Sequence, residues 1–239
     1  DHIDLKYAED KGIKVLSLKG EDDFLNTITG TAELALGLLI SSSRHIPNST
    51  QSVLKGEWNR EKFKGHSLNG QTLGVVGLGR LGKWMALYGE ALGMKVLFVD
   101  PKVESSNLNW KKVNFEELLK QSDFISIHVH LNPETEFLFN KKTMSLMKKT
   151  AYLINTSRGK IVHEGDLMAM IKQKKIAGYA ADVLDGEILF TKNSCKSHPL
   201  VKFAKEYSNV IIAPHTGGMT YESRRDTDVF IANKLKKFQ

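Results

Sequence analysis

Short apolar runs alternate with stretches of helical period along most of this chain. The runs Lys14–Leu18, Thr72–Gly77, Lys95–Val99, Phe124–His128, Ala151–Asn155, Ala177–Asp182 and Val210–Ala213 are rich in Val, Ile, Leu and Phe and alternate only weakly. That pattern predicts strands covered on both faces. Between them, helices are predicted at Thr31–Arg44, Leu81–Leu92, Phe115–Gln121, Lys141–Met147, Glu164–Gln173 and Tyr221–Phe238. Strand–helix alternation of this kind predicts an α/β fold built on a doubly wound parallel sheet. Three polar stretches interrupt it: Gly20–Thr31, Pro47–Gly70 and Glu187–Ser208. They read as connectors, and no internal repeat or low-complexity segment accompanies them.

Composition narrows the class. The chain has 239 residues, 41% hydrophobic and 26% charged, enough for one large domain or two modest ones with a sizeable core. The longest apolar run, around Leu34–Ile40, is well short of the roughly 18 residues that span a bilayer, so no membrane partner is expected. The single cysteine, Cys195, excludes an internal disulfide framework and suits a reducing cytoplasm. A net charge of +7 raises the question of nucleic acid, but the lysines are spread along the chain in short pairs such as Lys148-Lys149. A solvated lysine-rich surface is the reading preferred here, with a mild pull on small anions and no nucleic-acid partner. The chain opens on Asp1-His2-Ile3-Asp4, which reads like the interior of an element and leads us to expect residues before it.

The most specific local signal is Gly77-Leu78-Gly79-Arg80-Leu81-Gly82, a G-x-G-x-x-G that leaves a predicted strand and opens a predicted helix. In this setting the first glycine makes a tight turn, the second lets a pyrophosphate approach the backbone, and the third lets the helix pack close to the strand. The helix N-terminus then offers N–H groups and partial positive charge to phosphates, and Arg80 adds a cation. The next strand ends at Val99-Asp100-Pro101, eighteen residues past Gly82. An acidic residue there can accept hydrogen bonds from an adenosine ribose. It would also repel the extra phosphate of NADP. Two unit charges 4 Å apart interact by about 4 kcal/mol at an effective dielectric of about 20, so NAD is the expected cofactor.

Three polar residues follow strands in the second half: Arg158 in Asn155-Thr156-Ser157-Arg158-Gly159, Glu187 in Asp182-Val183-Leu184-Asp185-Gly186-Glu187, and His215 in Ala213-Pro214-His215-Thr216-Gly217-Gly218. Ligands of open parallel sheets bind at the carboxyl ends of the strands, so these residues should converge there. Their chemistry suits hydride transfer to a 2-oxo acid. A histidine can give the carbonyl oxygen its proton, and a carboxylate beside it favours the charged ring and fixes its orientation. An arginine can hold the substrate carboxylate. Asp182 is placed to bind the carboxamide end of the nicotinamide. Singly, each has a bland reading as a turn residue or helix cap; the argument rests on the set.

With these motifs together, the chain resembles the D-isomer-specific 2-hydroxyacid dehydrogenases, particularly their phosphoglycerate dehydrogenase branch. The likeness runs along nearly the whole chain. It takes in Asp1–Asp4 with Lys11–Val15, the stretch Thr31–Arg44, the glycine turn with Asp100-Pro101, Asn155–Gly159, Asp182–Glu187 and Pro214-His215. The resemblance implies a Rossmann cofactor domain over residues 21–239, including a helix that crosses between domains. Residues 1–20 would be the last stretch of a second, flavodoxin-like substrate domain. It implies Arg158, Glu187 and His215 as catalytic residues. It also implies a cofactor site of Gly77, Gly79, Arg80, Leu81, Gly82, Asp100, Pro101, His128, Thr156, Asp182 and Gly217, with no metal. The expected activity is NAD-dependent interconversion of a small D-2-hydroxy acid and its 2-oxo acid, with 3-phosphoglycerate the leading substrate. A homodimer or homotetramer in the cytoplasm is implied too. The alternative is an NAD(H)-sensing, corepressor-type protein of the same fold. Two positions depart from the pattern: His130 stands where proline is usual, and His163 where an acidic residue is common. His163 is expected to start a helix, and His128 to be a positioned strand-end residue without acid–base work.

Overall fold

The computed structural model describes residues 3–104, 108–191 and 193–237. Its strands are β1 (Thr72–Val76), β2 (Lys95–Val99), β3 (Lys111–Lys112), β4 (Phe124–Ile127), β5 (Tyr152–Asn155), β6 (Gly178–Ala181) and β7 (Val210–Ile212). The helices are α1 (Leu5–Asp10), α2 (Asp22–Asn26), α3 (Gly30–Arg44), α4 (Ile46–Leu54), α5 (Arg80–Ala91), α6 (Phe115–Gln121), α7 (Lys141–Met144), α8 (Glu164–Lys172), α9 (Pro199–Glu206) and α10 (Tyr221–Lys236). The chain divides into two compact units: Thr31–Gly217, and Asp1–Gly30 with Gly218–Gln239.

In the larger unit all seven strands are parallel, in the order β3-β2-β1-β4-β5-β6-β7. Order reverses between β1 and β4, so the sheet has the switch point at which dinucleotide folds bind their ligands. The pleat explains why the apolar runs alternate so weakly. Leu73, Val75, Val96, Phe98, Phe124, Tyr152, Ile154 and Ala180 belong to one buried cluster, with Ala35, Leu38 and Leu39 of α3 and Met85 and Ala86 of α5. Their neighbours Val76, Leu97, Ile125, Ile127, Leu153, Tyr179 and Ala181 belong to the other, with Leu118, Met144, Leu167 and Leu200 from α6, α7, α8 and α9. Both faces are buried, so both sets of alternate positions are apolar.

The smaller unit departs from expectation. The run Lys14–Leu18 is not a strand: among the described residues it joins no ladder, and an extended segment without a partner leaves its backbone groups to solvent and side chains. Lys234 of α10 donates to the Ser17 carbonyl (3.0 Å), and Phe230 stacks on Phe24 of α2 with ring centroids 4.1 Å apart. Asp1, His2 and Phe238, part of elements expected from the sequence, lie outside the described residues. Four of the described helices were not expected from the sequence: α1, and α2, α4 and α9 in the three stretches read as connectors. Both α4 and α9 have proline in the first turn, a position where its missing N–H costs nothing.

The stretch Asp22–Arg44 is long and apolar enough on average to pass for a membrane span, contrary to the expectation from single apolar runs. Its helix breaks at residues 27–29. Within α3, Ala32, Ala35, Leu38 and Leu39 are buried, the last three in the core against the sheet. This is a core helix. Replacing fully buried Leu39 by alanine is therefore expected to cost about 2–5 kcal/mol in urea unfolding. An unchanged midpoint would mean that α3 does not pack as described.

Candidate active site

Sheet register brings the site residues into one row. Val99, Val76, Ile127, Asn155, Ala181 and Ile212 are cross-strand partners in succession. The residues that follow them are Asp100, Gly77, His128, Thr156, Asp182 and Ala213. Parallel pairing thus delivers the predicted cofactor and catalytic residues to one edge of the sheet.

At β1, Gly77 has φ 92, a left-handed conformation that side chains resist, and a Cβ there would stand 2.6 Å from the His128 carbonyl oxygen. A Cβ on Gly82 would stand 1.9 Å from the Gly77 carbonyl oxygen, so the first turn of α5 lies tight on the strand end. Gly79 differs: nothing lies within 4 Å of where its Cβ would be. It precedes α5 and has no side chain to cap it, and the open space above a helix N-terminus suits a phosphate. Burial pulls the half-buried Arg80 guanidinium somewhat below its usual range, and it stays cationic at neutral pH. Leu81 lies in the same first turn.

Asp100 has a role beyond the one expected. Its Oδ2 accepts from the Leu78 N–H (2.7 Å) and its Oδ1 from the Lys102 N–H (2.8 Å), so the carboxylate pins the glycine turn from the neighbouring strand. Two of about four acceptor positions remain for a ribose. Pro101 follows, exposed.

Two buried polar atoms have no partner along this edge. His128 Nε2 pairs with Ser126 Oγ (2.8 Å), while Nδ1 has none; burial holds the ring's pKa down at about 4, so it is neutral. Thr156 Oγ1 is likewise buried without a partner. Buried polar groups in folded proteins are nearly always satisfied, and orphans point to a ligand or water.

After β5, fully buried Asn155 shapes the next turn. Its Oδ1 accepts from the Ser157 N–H (3.0 Å) and its Nδ2 donates to the Arg158 carbonyl (3.0 Å) and the Tyr179 hydroxyl (3.3 Å). Ser157 Oγ donates to the Ile127 carbonyl (2.8 Å), and Arg158 projects exposed, its Nη1 on the Ser157 carbonyl (2.7 Å).

The closest agreement with expectation is at His215, whose Nδ1 lies 2.8 Å from Glu187 Oε1. The other oxygen of Glu187 accepts from the Leu184 N–H (3.0 Å). His215 has φ 55, in the left-handed region for a residue with a side chain. Asp182 holds it there: Oδ1 accepts from the Thr216 N–H and Oδ2 from the Gly217 N–H, both at 2.7 Å. A Cβ on Gly217 would crowd Asp182 Oδ2 at 2.9 Å. A left-handed backbone at a residue with a side chain is strained, and the buried Asp182 carboxylate holds it.

Of the departures, His163 does start α8: its Nδ1 accepts from the Asp166 N–H (3.2 Å). The residues that sequence reasoning missed are Ser126, Asn155, Tyr179, Glu164 and His198. Glu164 reads as an ordinary acidic residue in a helix's first turn, and no spacing ties His198 to it.

Comparison with known proteins agrees with this geometry. Residues 36–217 match the model for the D-isomer specific 2-hydroxyacid dehydrogenase NAD-binding domain. The chain is 35% identical over 241 residues to D-3-phosphoglycerate dehydrogenase of Methanocaldococcus jannaschii, covering 99% of this chain but 43% of that protein. It is 35% identical over 249 residues to glyoxylate reductase of Thermococcus litoralis, covering 100% of this chain and 70% of that one. Among solved structures, D-lactate dehydrogenase from Aquifex aeolicus complexed with NAD and lactic acid superimposes with a TM-score of 0.86 at 32% identity, covering 100% of this chain and 73% of that one. The chain belongs to the D-isomer specific 2-hydroxyacid dehydrogenase family, and residues 36–217 are its NAD-binding domain.

Proposed function

We propose that this protein interconverts a small D-2-hydroxy acid and its 2-oxo acid with NAD, through Arg158, Glu187 and His215. The observation that carries the reading is the 2.8 Å His215–Glu187 pair on the same sheet edge as the glycine turn. NAD fits the residues present: open space at Gly79, the start of α5, and the orphaned His128 Nδ1 and Thr156 Oγ1 along the strand ends. Gly77, Gly79, Arg80, Leu81 and Gly82 would hold the pyrophosphate, Asp100 and Pro101 the ribose end, and His128, Thr156, Asp182 and Gly217 the nicotinamide end. When bound, the dinucleotide supplies or accepts the hydride. The rest is the work of this chain. Glu187 accepts from Nδ1–H of His215 and stabilises the imidazolium, leaving Nε2–H to protonate the substrate's carbonyl oxygen in reduction and to take the proton back in oxidation. Arg158 holds the substrate carboxylate and adds positive charge beside the developing oxyanion.

A 3-phosphoglycerate-like acid is the substrate we favour, in line with the relative named for it and with a basic chain that draws in anions. Residues 1–20 would be the end of a substrate domain and residues 21–239 the cofactor domain with its crossing helix. Ile46, Val53, Leu54 and Trp58 expose apolar surface on and just after α4, which supports assembly as a homodimer or homotetramer. The single Cys195 supports a cytoplasmic setting.

Titration with NADH and NADPH, read by nicotinamide fluorescence, tests the cofactor site. Tight NADH and weak NADPH binding are expected, and Asp100→Ala should shrink the ratio about tenfold, equal to about 1.4 kcal/mol. An unchanged ratio would remove Asp100 from cofactor selection. Turnover of 2-oxo acids tests the chemistry. His215→Ala should lower kcat about 100-fold or more while NADH binding persists, and Arg158→Ala should weaken the oxo acid's KM far more than NADH affinity. Equal loss of NADH binding in both variants would place these residues in folding or the cofactor site instead.

The neutral His128 ring has a consequence for stability. Its pKa is about 4 when folded against an ordinary value of 6.5, so between these the unfolded chain binds more protons and stability falls as pH falls. Thermal unfolding should show a loss on the order of 3 kcal/mol through that window, flattened in His128→Gln. The same slope in both proteins would assign the acid loss to other groups.

A further inference from the structure

A second histidine–carboxylate pair lies behind the first. Glu164 opens α8 and His198 immediately precedes α9, and both side chains are about nine-tenths buried, at 11% and 10% exposure. Both meet the backbone of one residue, Asp185, one on each of its two flanking peptides. Glu164 Oε1 accepts from the Asp185 N–H at 3.0 Å, His198 Nε2 lies 3.1 Å from the Asp185 carbonyl oxygen, and Glu164 Oε2 is 3.4 Å from His198 Nε2. A ring with its hydrogen on Nε2 donates toward that carbonyl and leaves Nδ1 a bare lone pair, which agrees with the buried Nδ1 having no partner. Phe190 stands edge-on to the ring at 5.5 Å.

The gripped residue begins the turn that ends in Glu187. Leu184 before it donates its N–H to Glu187 Oε2, and Gly186 after it has φ 73. The Arg158 turn leans on the Leu184–Asp185 peptide, the one that Glu164 holds, since a Cβ on Gly159 would stand 2.2 Å from the Asp185 nitrogen. Burying a carboxylate is unfavourable, and burial pushes the Glu164 carboxyl up from its usual range, with Asp185 and Glu187 adding repulsion and the Asp185 N–H and His198 opposing it. The first turn of α8 favours an acid, and the charge-assisted bond to the Asp185 N–H adds to that, being stronger and more directional than a neutral one.

We propose that Glu164 and His198 are a positioning pair for the catalytic carboxylate: by holding both backbone polar groups of Asp185, and so the peptides on either side of it, they fix the turn that delivers Glu187 to His215. The functional part of this rests on the dehydrogenase reading above; the mechanical part does not, and the two are separable. Amide hydrogen exchange in Glu164→Ala should accelerate at least about tenfold at Leu184 and Asp185, with the sheet unchanged. Glu164→Gln, which keeps an acceptor for the Asp185 N–H, should recover most of the protection, and NADH binding should stay within about twofold in both. Turnover should show kcat down about tenfold or more in Glu164→Ala, partly rescued in Glu164→Gln, with the oxo-acid KM little changed, because substrate is held by groups elsewhere. His198→Gln repeats the test from the carbonyl side if Glu164→Ala fails to fold. Unchanged exchange at Leu184 and Asp185 in a folded variant overturns the pair, as does KM rising in step with kcat falling. Accelerated exchange in a protein whose wild type turns over no 2-oxo acid would leave the pair standing and overturn the dehydrogenase reading instead.

Discussion

Parallel strands impose a constraint on everything built at their ends. An antiparallel ribbon ties its strand ends with a short turn, but in this sheet each strand leaves the carboxyl edge in its own loop. The loops hold the chemistry, so each must be fastened to its neighbour by something other than the ladder. Carboxylates do this, buried at Asp182 and partly buried at Asp100, Glu164 and Asp123. Asp100 after β2 accepts from Leu78 after β1, Asp182 after β6 accepts from Thr216 and Gly217 after β7, and Glu164 accepts from Asp185 after β6. At the opposite edge Asp123, just before β4, accepts from Thr72 at the start of β1. In each case an acidic side chain takes N–H groups of a neighbouring segment. The bond is strong because the acceptor is charged and shielded from water, and it is specific because a misplaced loop would strand that charge in the interior.

This arrangement explains what could be read from the sequence. The glycine turn was legible because its demands are local: three glycines, a strand before and a helix after. Six of the seven expected strands are present because burial on both faces writes a continuous apolar run. The seventh expected run, Lys14–Leu18, has the same composition without a neighbouring strand, and composition alone cannot supply one. The short β3 pairs through only two lysines, too few to leave a pattern. His215, Glu187 and Arg158 were legible as a set because each follows a strand of one sheet. Glu164 and His198 were not, since neither follows a strand and their meeting depends on how α8 and the segment before α9 fold over the Asp185 turn.

Asp182 and Asp100 show where sequence reasoning stopped short. Both were expected to face a ligand, and both lie on the correct edge. Each also has a structural task that a motif cannot display, because the partner is a backbone N–H and carries no residue identity. A substitution at Asp182 would therefore disturb His215 through its backbone as well as any contact with nicotinamide. Loss of activity there would not by itself establish contact with cofactor.

The same consideration bears on His215. Its side chain is about half exposed while Glu187 is mostly covered and Asp182 is buried. In the proposed role of proton donor its outer nitrogen would have to stay open, and exposure alone would leave the ring free to rotate. The left-handed backbone at His215, clamped by two bonds to Asp182, and the bond from Nδ1 to Glu187 remove that freedom from opposite ends of the residue. Orientation is thus fixed by Asp182 and Glu187 while the ring itself stays half exposed. The strain of a positive φ, of order 1–3 kcal/mol, is offset by charge-assisted bonds worth about as much each, so the fold holds this conformation at little net cost.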